Sequence, residues 1–271
     1  MRDVPRDLSD AELTTAVEAN LTDFHVALSA WPAITLDRAD DLIRTVSQRR
    51  FSLCNVVLQA RLDPTALDGR IEEAIAPYRM SGVNIMWKLG PSTRPHDLDD
   101  RLVAHGFRVT PTLRGMALRI TGETSVPIAL PGLVIREVTD VRVLDLWRVA
   151  VDRGFGWPSY GAQDLVDNLG HFFGPGTERP FTAYVGVSEG QAVASSLVFF
   201  GAGVAGIYHV ATVPEHRRRG VGAAMTRAAL HDARARGYRV AILHATEMGG
   251  PVYRSLGFRD VCAVRMRLYL P

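Results

Sequence analysis

The sequence is short of several things, and each shortage narrows the reading. Of its 31 basic residues only Lys88 is a lysine. With abundant alanine and glycine, this is the codon bias of a GC-rich genome and carries no mechanistic weight. There are two cysteines, Cys54 and Cys262, far apart and in strand-like segments. That argues against a disulfide framework and for two buried thiols in a reducing compartment. No apolar run approaches the ~20 residues of a membrane span. The opening "MRDVPRDLSDAEL" has no apolar stretch of the kind a signal peptide needs. A cytoplasmic protein without a membrane partner is the expectation. The formal net charge is only +2, so composition gives no sign of a nucleic-acid partner. The eight histidines, among them His171, His216, His231 and His244, lie on different elements without ligand spacing, and no metal is expected.

What is present is a chain of 271 residues that is 47% hydrophobic, enough for two modest domains with real cores. The second half has clear periodicity. Strands are expected at 133–138, 181–188, 191–200, 205–213, 238–245 and 258–270, the second and third joined by a turn at Glu189-Gly190. An amphipathic helix is expected at 140–155, with Leu144, Trp147 and Val151 on one face. A Gly/Pro/aromatic loop, "GFGWPSYGAQ", precedes a short helix at 164–173. A helix from about Arg219 to Arg236 stops at Gly237. In the first half, helices are expected at 10–29, 64–79 and 95–105, and strands at 51–60, 83–88 and 107–120. "TGETSVPIALPG" (121–132) is taken as the linker between 1–120 and 133–271. "HGFR" at 105–108 aligns with "LGFR" at 256–259, and the order of elements agrees around both, which points to a tandem duplication.

The stretch "VATVPEHRRRGVGAAMT" (210–226) puts a strand, a proline, three arginines and two glycines directly before a helix. A helix start has unpaired N–H groups and the positive end of the dipole. Glycine allows the φ values of an anion-binding nest and the close approach of backbone to phosphate. Arginine adds charge-assisted hydrogen bonds. The Gly-Lys-Ser/Thr ending of a Walker loop is absent, as is the third glycine of a dinucleotide fingerprint. A diphosphate held without metal is the reading that remains.

The pattern Arg217-x-x-Gly220-x-Gly222 after a strand resembles motif A of the GNAT superfamily of acyl-CoA-dependent N-acyltransferases, and "GGPVYRSLGF" (249–258) resembles its motif B. The resemblance covers 133–271 well and 1–120 only as a degenerate copy. It implies an α/β (mixed α+β) fold of two tandem GNAT-like domains. Each would be a twisted, mostly antiparallel sheet with a splayed parallel strand pair flanked by helices. It implies acetyl-CoA as co-substrate. The diphosphate would lie on the amides of Arg218, Arg219, Gly220, Val221, Gly222 and Ala223, with Arg217 beside them. The pantetheine would run along Val210, Ala211 and Thr212. Where the family often has an asparagine, this sequence has Thr246, which weakens that contact.

The implied reaction is attack of a neutral amine on the acetyl carbonyl, with Tyr253 matching the tyrosine that protonates the leaving thiolate. The family's usual base positions are here Gly206 and Tyr208. Strand alternation puts Gly206, Tyr208 and Val210 on one face and His209 on the other, unless a bulge shifts the register. Tyr208 or Glu247, acting through water, are the base candidates; the enzyme could also select the unprotonated amine without a base. Phe155, Trp157 and Tyr160 form either an acceptor wall or a lid packed on the core. In the first half Leu102 stands opposite Tyr253, and Asp63 and Asp68 lie where a diphosphate would sit, so that copy is expected to be non-catalytic. The leading reading is an N-acetyltransferase acting on a small or amino-acid-like amine, as a monomer or homodimer. The alternatives are a protein acetyltransferase, acting on lysine or an N-terminus, and an acyl-CoA sensor or pseudoenzyme.

Overall fold

The computed structural model describes residues 8–157, 159–174 and 178–271. The first seven residues and Pro158 of the aromatic loop lie outside that range. In chain order the helices are α1 (Asp10–Leu28), α2 (Leu67–Ser81), α3 (Leu98–Ala104), α4 (Val141–Phe155), α5 (Ser159–Gly170), α6 (Val221–Ala235) and α7 (Gly250–Ser255). The strands are β1 (Ile34–Arg38), β2 (Ile43–Ser47), β3 (Val56–Leu58), β4 (Ile85–Leu89), β5 (Arg108–Val109), β6 (Leu113–Arg119), β7 (Val134–Glu137), β8 (Phe181–Ser188), β9 (Gln191–Gly201), β10 (Val204–Thr212), β11 (Val240–Ala245) and β12 (Arg259–Tyr269).

Two compact units result, and their boundaries correct the expected ones. One unit is Met1–Leu21 with Arg114–Val261; the other is Thr22–Leu113 with Cys262–Pro271. The division does not fall at 121–132, because each half of the sequence ends in a strand that pairs in the other unit. β6 pairs antiparallel with β11, from Arg114↔Ala245 to Arg119↔Val240. β12 pairs antiparallel with β4, from Arg265↔Leu89 to Tyr269↔Ile85.

In the unit that contains Arg114–Val261, strand order is β6-β11-β10-β9-β8-β7, and β10 and β11 are its parallel pair. The β8–β9 turn forms at Glu189 (φ 50°) and Gly190 (φ 76°), the left-handed pair that a two-residue hairpin favours. α4 starts at Asp140, whose carboxylate accepts the Arg142 and Val143 N–H groups, and ends at Gly156 in the left-handed region. Its Leu144, Trp147 and Val151 are buried, as the periodicity requires. Val198, Ile207, Leu230, Leu243 and Phe258 are part of the core beneath α6 and α7.

The other unit is ordered β1-β2-β3-β4-β12, with β5 on β12 and β3 parallel to β4. Its core holds Ile71, Ile75, Tyr78, Trp87, Leu102 and Phe107. β1 and β2 were not expected. Their density of charge reads as loop, but Asp37 and Arg44 face each other across the hairpin and pair at 2.7 Å. The expected strand at 51–60 shrinks to Val56–Leu58, and Cys54 lies on a 3-10 turn, Ser52–Cys54.

The internal likeness extends to backbone detail. β3-α2-β4-α3 repeats as β10-α6-β11-α7, each a parallel strand pair joined through a helix. Gln59 follows β3 with φ 53°, and His209 lies in β10 with φ 51°. α3 and α7 end alike. Phe107 N–H donates to Leu102 O and Gly106 N–H to Val103 O, both at 3.0 Å; Phe258 N–H donates to Tyr253 O and Gly257 N–H to Arg254 O, also at 3.0 Å. This double closure needs a left-handed residue, supplied by Gly106 (φ 88°) and Gly257 (φ 98°).

Candidate functional site

β10 is the organising strand. It pairs with β9 through Tyr208↔Leu197 and again from Ala211↔Ser195, so His209 and Val210 together oppose Ser196. This bulge is held by the Ser195 hydroxyl, which donates to His209 O at 2.8 Å. His209 packs edge-on against Trp147, Phe155 and Trp157, with ring centroids 5.7, 6.5 and 6.0 Å away. Tyr208 stacks on His244 at 6.0 Å, and its hydroxyl donates to Asn20 Oδ1 at 2.8 Å. Tyr208 and His209 thus have separate surroundings, as alternation predicts. The bulge breaks that alternation at Val210, which packs with Val221 and Met225 of α6.

The parallel ladder between β10 and β11 is short, running only from Ala205↔Ala241 to Ile207↔Leu243. Tyr208–Thr212 therefore continues past the point where pairing to β11 ends. Beyond Thr212 the chain turns into α6 through Arg218 (φ 58°) and Gly220 (φ 80°), two left-handed residues of the kind that make a nest of backbone N–H groups. The first bond of α6 is Ala224 N–H to Gly220 O at 3.0 Å, so helix geometry leaves the amides of Val221, Gly222 and Ala223 pointing out of its end. A Cβ on Gly222 would touch only Thr212 Oγ1, at 3.8 Å.

The three arginines differ. Arg218 and Arg219 are exposed. Arg217 is turned back on the protein: Nε donates to Thr212 O at 3.0 Å and Nη2 to Gly154 O at 2.8 Å. It fastens the end of β10 to α4. Gly154 belongs to the same junction, since a Cβ there would lie 2.7 Å from the Ala211 Cβ.

At the end of β11, Thr246 receives the Gly249 N–H on its hydroxyl at 3.1 Å and the Gly250 N–H on its carbonyl at 3.0 Å, so it caps α7. Glu247 is exposed beside it. Tyr253 keeps some exposed surface, yet the crowding around its phenol raises its pKa above the ordinary value of 10.0. The ring lies edge-on to Phe258 at 6.0 Å. Gly249 makes room for it: a Cβ there would sit 3.0 Å from Tyr253 Cε2. Phe155 and Trp157 stack at 4.5 Å, whereas Tyr160 is exposed on α5, a helix that begins inside the expected loop. Among the described residues, no cluster of three or more His, Cys, Asp or Glu could hold a metal ion, and no helix is long and apolar enough to cross a membrane.

Asn20, Gly154 and Gly249 are the site residues that sequence reasoning missed. The two glycines left a signal, a glycine within or beside a helical pattern. Asn20 left none.

Comparison with known proteins agrees with this geometry. Residues 186–261 match the family profile described as the acetyltransferase (GNAT) domain. A search of curated proteins gives no match. Among solved structures, the chain is similar to a GCN5-related N-acetyltransferase from Kribbella flavida, at 18% identity over 94% of both chains and a TM-score of 0.69. It is also similar to a GCN5-related N-acetyltransferase from Sphaerobacter thermophilus, at 18% identity over 97% of this chain and 94% of that one, with a TM-score of 0.61. A tandem GNAT protein from the clavulanic acid biosynthesis pathway gives 15% identity over 96% and 94% of the chains and a TM-score of 0.58. Residues 186–261 thus resemble a GNAT acetyltransferase domain, and the fold of the chain is that of these GNAT structures.

Proposed function

We propose that the protein transfers an acetyl group from acetyl-CoA to the primary amine of a small or amino-acid-like acceptor. The observation that carries this reading is the succession, within 17 residues of one strand and one helix start (205–221), of a parallel ladder that stops at Ile207 and a left-handed nest at Arg218 and Gly220. The nest and the amides of 218–223 suit the diphosphate. The stretch Val210–Thr212, past the end of the ladder, suits the amide-bearing pantetheine arm. That course brings the thioester toward Tyr208 and Tyr253. The amine nitrogen attacks the acetyl carbon, the C–S bond breaks, the thiolate takes the Tyr253 proton, and the new amide nitrogen releases a proton to solvent, which returns one to the Tyr253 phenolate. A phenol whose pKa is raised by crowding keeps its proton for that step. Exposed Glu247 is the candidate to pass the amine proton to water, and the stacked Phe155–Trp157 pair with Tyr160 suits an apolar acceptor wall. The first-half copy is proposed to be non-catalytic. It has the fully buried Leu102 where the second half has Tyr253, and Asp63 caps the turn before α2 by accepting the Thr65 N–H.

The test is free-thiol release from acetyl-CoA across a panel of primary amines, with the acetylated product identified by mass. Turnover with small amines is expected. Turnover with peptide lysines or N-termini alone would move the acceptor to proteins. Acetyl-CoA binding without any turnover would make the protein a sensor.

A further inference from the structure

Asn20 lies on α1 within the Met1–Leu21 portion of the GNAT unit and is fully buried. Its Nδ2 donates to Gly201 O at 2.8 Å and to Val204 O at 3.2 Å, the two carbonyls that flank the β9–β10 turn. With the amide nitrogen facing two acceptors, the carbonyl oxygen has one orientation, and it receives the Tyr208 hydroxyl proton at 2.8 Å. A flipped amide would set its oxygen against both backbone carbonyls. Gly206 completes the arrangement. A Cβ at 206 would lie 2.0 Å from Asn20 Oδ1 and 2.5 Å from Tyr208 Cε2, so any side chain there would collide with the pair.

Two consequences follow from chemistry alone. The space that a carboxylate at position 206 would use is filled by the Asn20 amide. And because the Tyr208 proton is committed to Asn20, the phenol oxygen can only accept any further hydrogen bond.

We propose that Asn20 is a positioning residue of the acceptor site. It fixes the Tyr208 oxygen as an acceptor for one N–H of the incoming amine, leaving the nitrogen lone pair directed at the thioester carbon. This rests on the acetyl transfer proposed above. No proton moves onto Tyr208; the amine proton leaves after attack. The residue selects acceptors that bring at least one N–H to the site.

The test uses the full chain, acetyl-CoA and 2-phenylethylamine, a primary amine whose ring suits the aromatic wall. Tyr208→Phe, which keeps the ring and leaves both Asn20 carbonyl contacts in place, is compared with Asn20→Ala and with the double variant. Each single variant should lower kcat/KM for the amine roughly 10- to 100-fold, the range for a misplaced reactant. KM for acetyl-CoA should stay unchanged, and the double variant should be no worse than Tyr208→Phe alone. Wild-type kinetics in Tyr208→Phe would overturn the proposal even if Asn20→Ala did not fold. So would losses that multiply in the double variant, or a loss confined to acetyl-CoA binding. A wild-type chain that binds acetyl-CoA but acetylates neither this amine nor any in the panel would instead remove the activity itself, and this role with it.

Discussion

At the residue scale, Tyr253 and Arg217 carry the sharpest consequences. Tyr253→Phe should lower turnover about 10- to 1000-fold, around the usual contribution of an acid, with acetyl-CoA affinity little changed, because the role proposed for the hydroxyl is on the departing thiolate. Wild-type turnover with chemistry rate-limiting would remove it as the proton donor. Arg217→Ala should lower thermal stability, because two backbone carbonyls, Thr212 O and Gly154 O, lose their donor. The cost should be on the order of 1–3 kcal/mol. Exposed Arg218→Ala should leave stability unchanged and weaken acetyl-CoA binding. A melting series against calorimetric titration separates the two; equal melting temperatures would contradict the fastening role. Legibility follows locality here. The left-handed turn into α6 could be read from sequence because its glycines, arginines and helix start are neighbours. Asn20 could not, because its partner Tyr208 is 188 residues away and no local pattern marks the contact.

At the scale of elements, the strands of the second half were legible to within two residues because they are apolar runs bounded by turns that carry glycine, whereas α5 begins at Ser159, inside the expected loop. β1 and β2 were not, because charges such as Asp37 and Arg44, which pair across the hairpin, look like loop residues in a linear reading. The terminal strands were seen, but not their partners. Pairing between β6 and β11 joins residues more than a hundred positions apart, and a run of consecutive buried residues in each strand does not mark which neighbour it takes. This changes what a truncation removes. A fragment 133–271 lacks β6, so β11 loses the antiparallel neighbour on one side, and it lacks Asn20 as well. An exposed edge next to the short ladder favours association between chains. The fragment should be poorly soluble or less active, measured by sedimentation and thiol release. Full stability and full activity in 133–271 would contradict the strand assignment.

At the scale of the whole molecule, the only lysine acts as a pH probe of folding. Lys88 Nζ is buried 2.6 Å from His25 Nε2, and desolvation lowers its pKa from 10.5 to about 7. Between those values the unfolded chain holds one more proton than the folded one, so stability rises as pH rises from about 7 toward 10.5. The slope approaches about 1.4 kcal/mol per pH unit at most. Below about pH 7 both states are protonated and this contribution flattens. Denaturant midpoints across pH 7–10 should rise in the wild type and lose that rise in Lys88→Met; an identical slope in both would assign the proton elsewhere.

The central claim is that one acetyl-CoA binds per chain, in the nest that opens α6. Calorimetric titration of acetyl-CoA into the full chain and into Gly222→Leu tests it most directly. Position 222 has room for a Cβ in the protein itself and lies where the diphosphate would approach, so this variant should fold yet lose binding. The account predicts a stoichiometry of one for the wild type and no measurable heat for the folded Gly222→Leu chain. Two acetyl-CoA per chain, or unchanged affinity in Gly222→Leu, would contradict it.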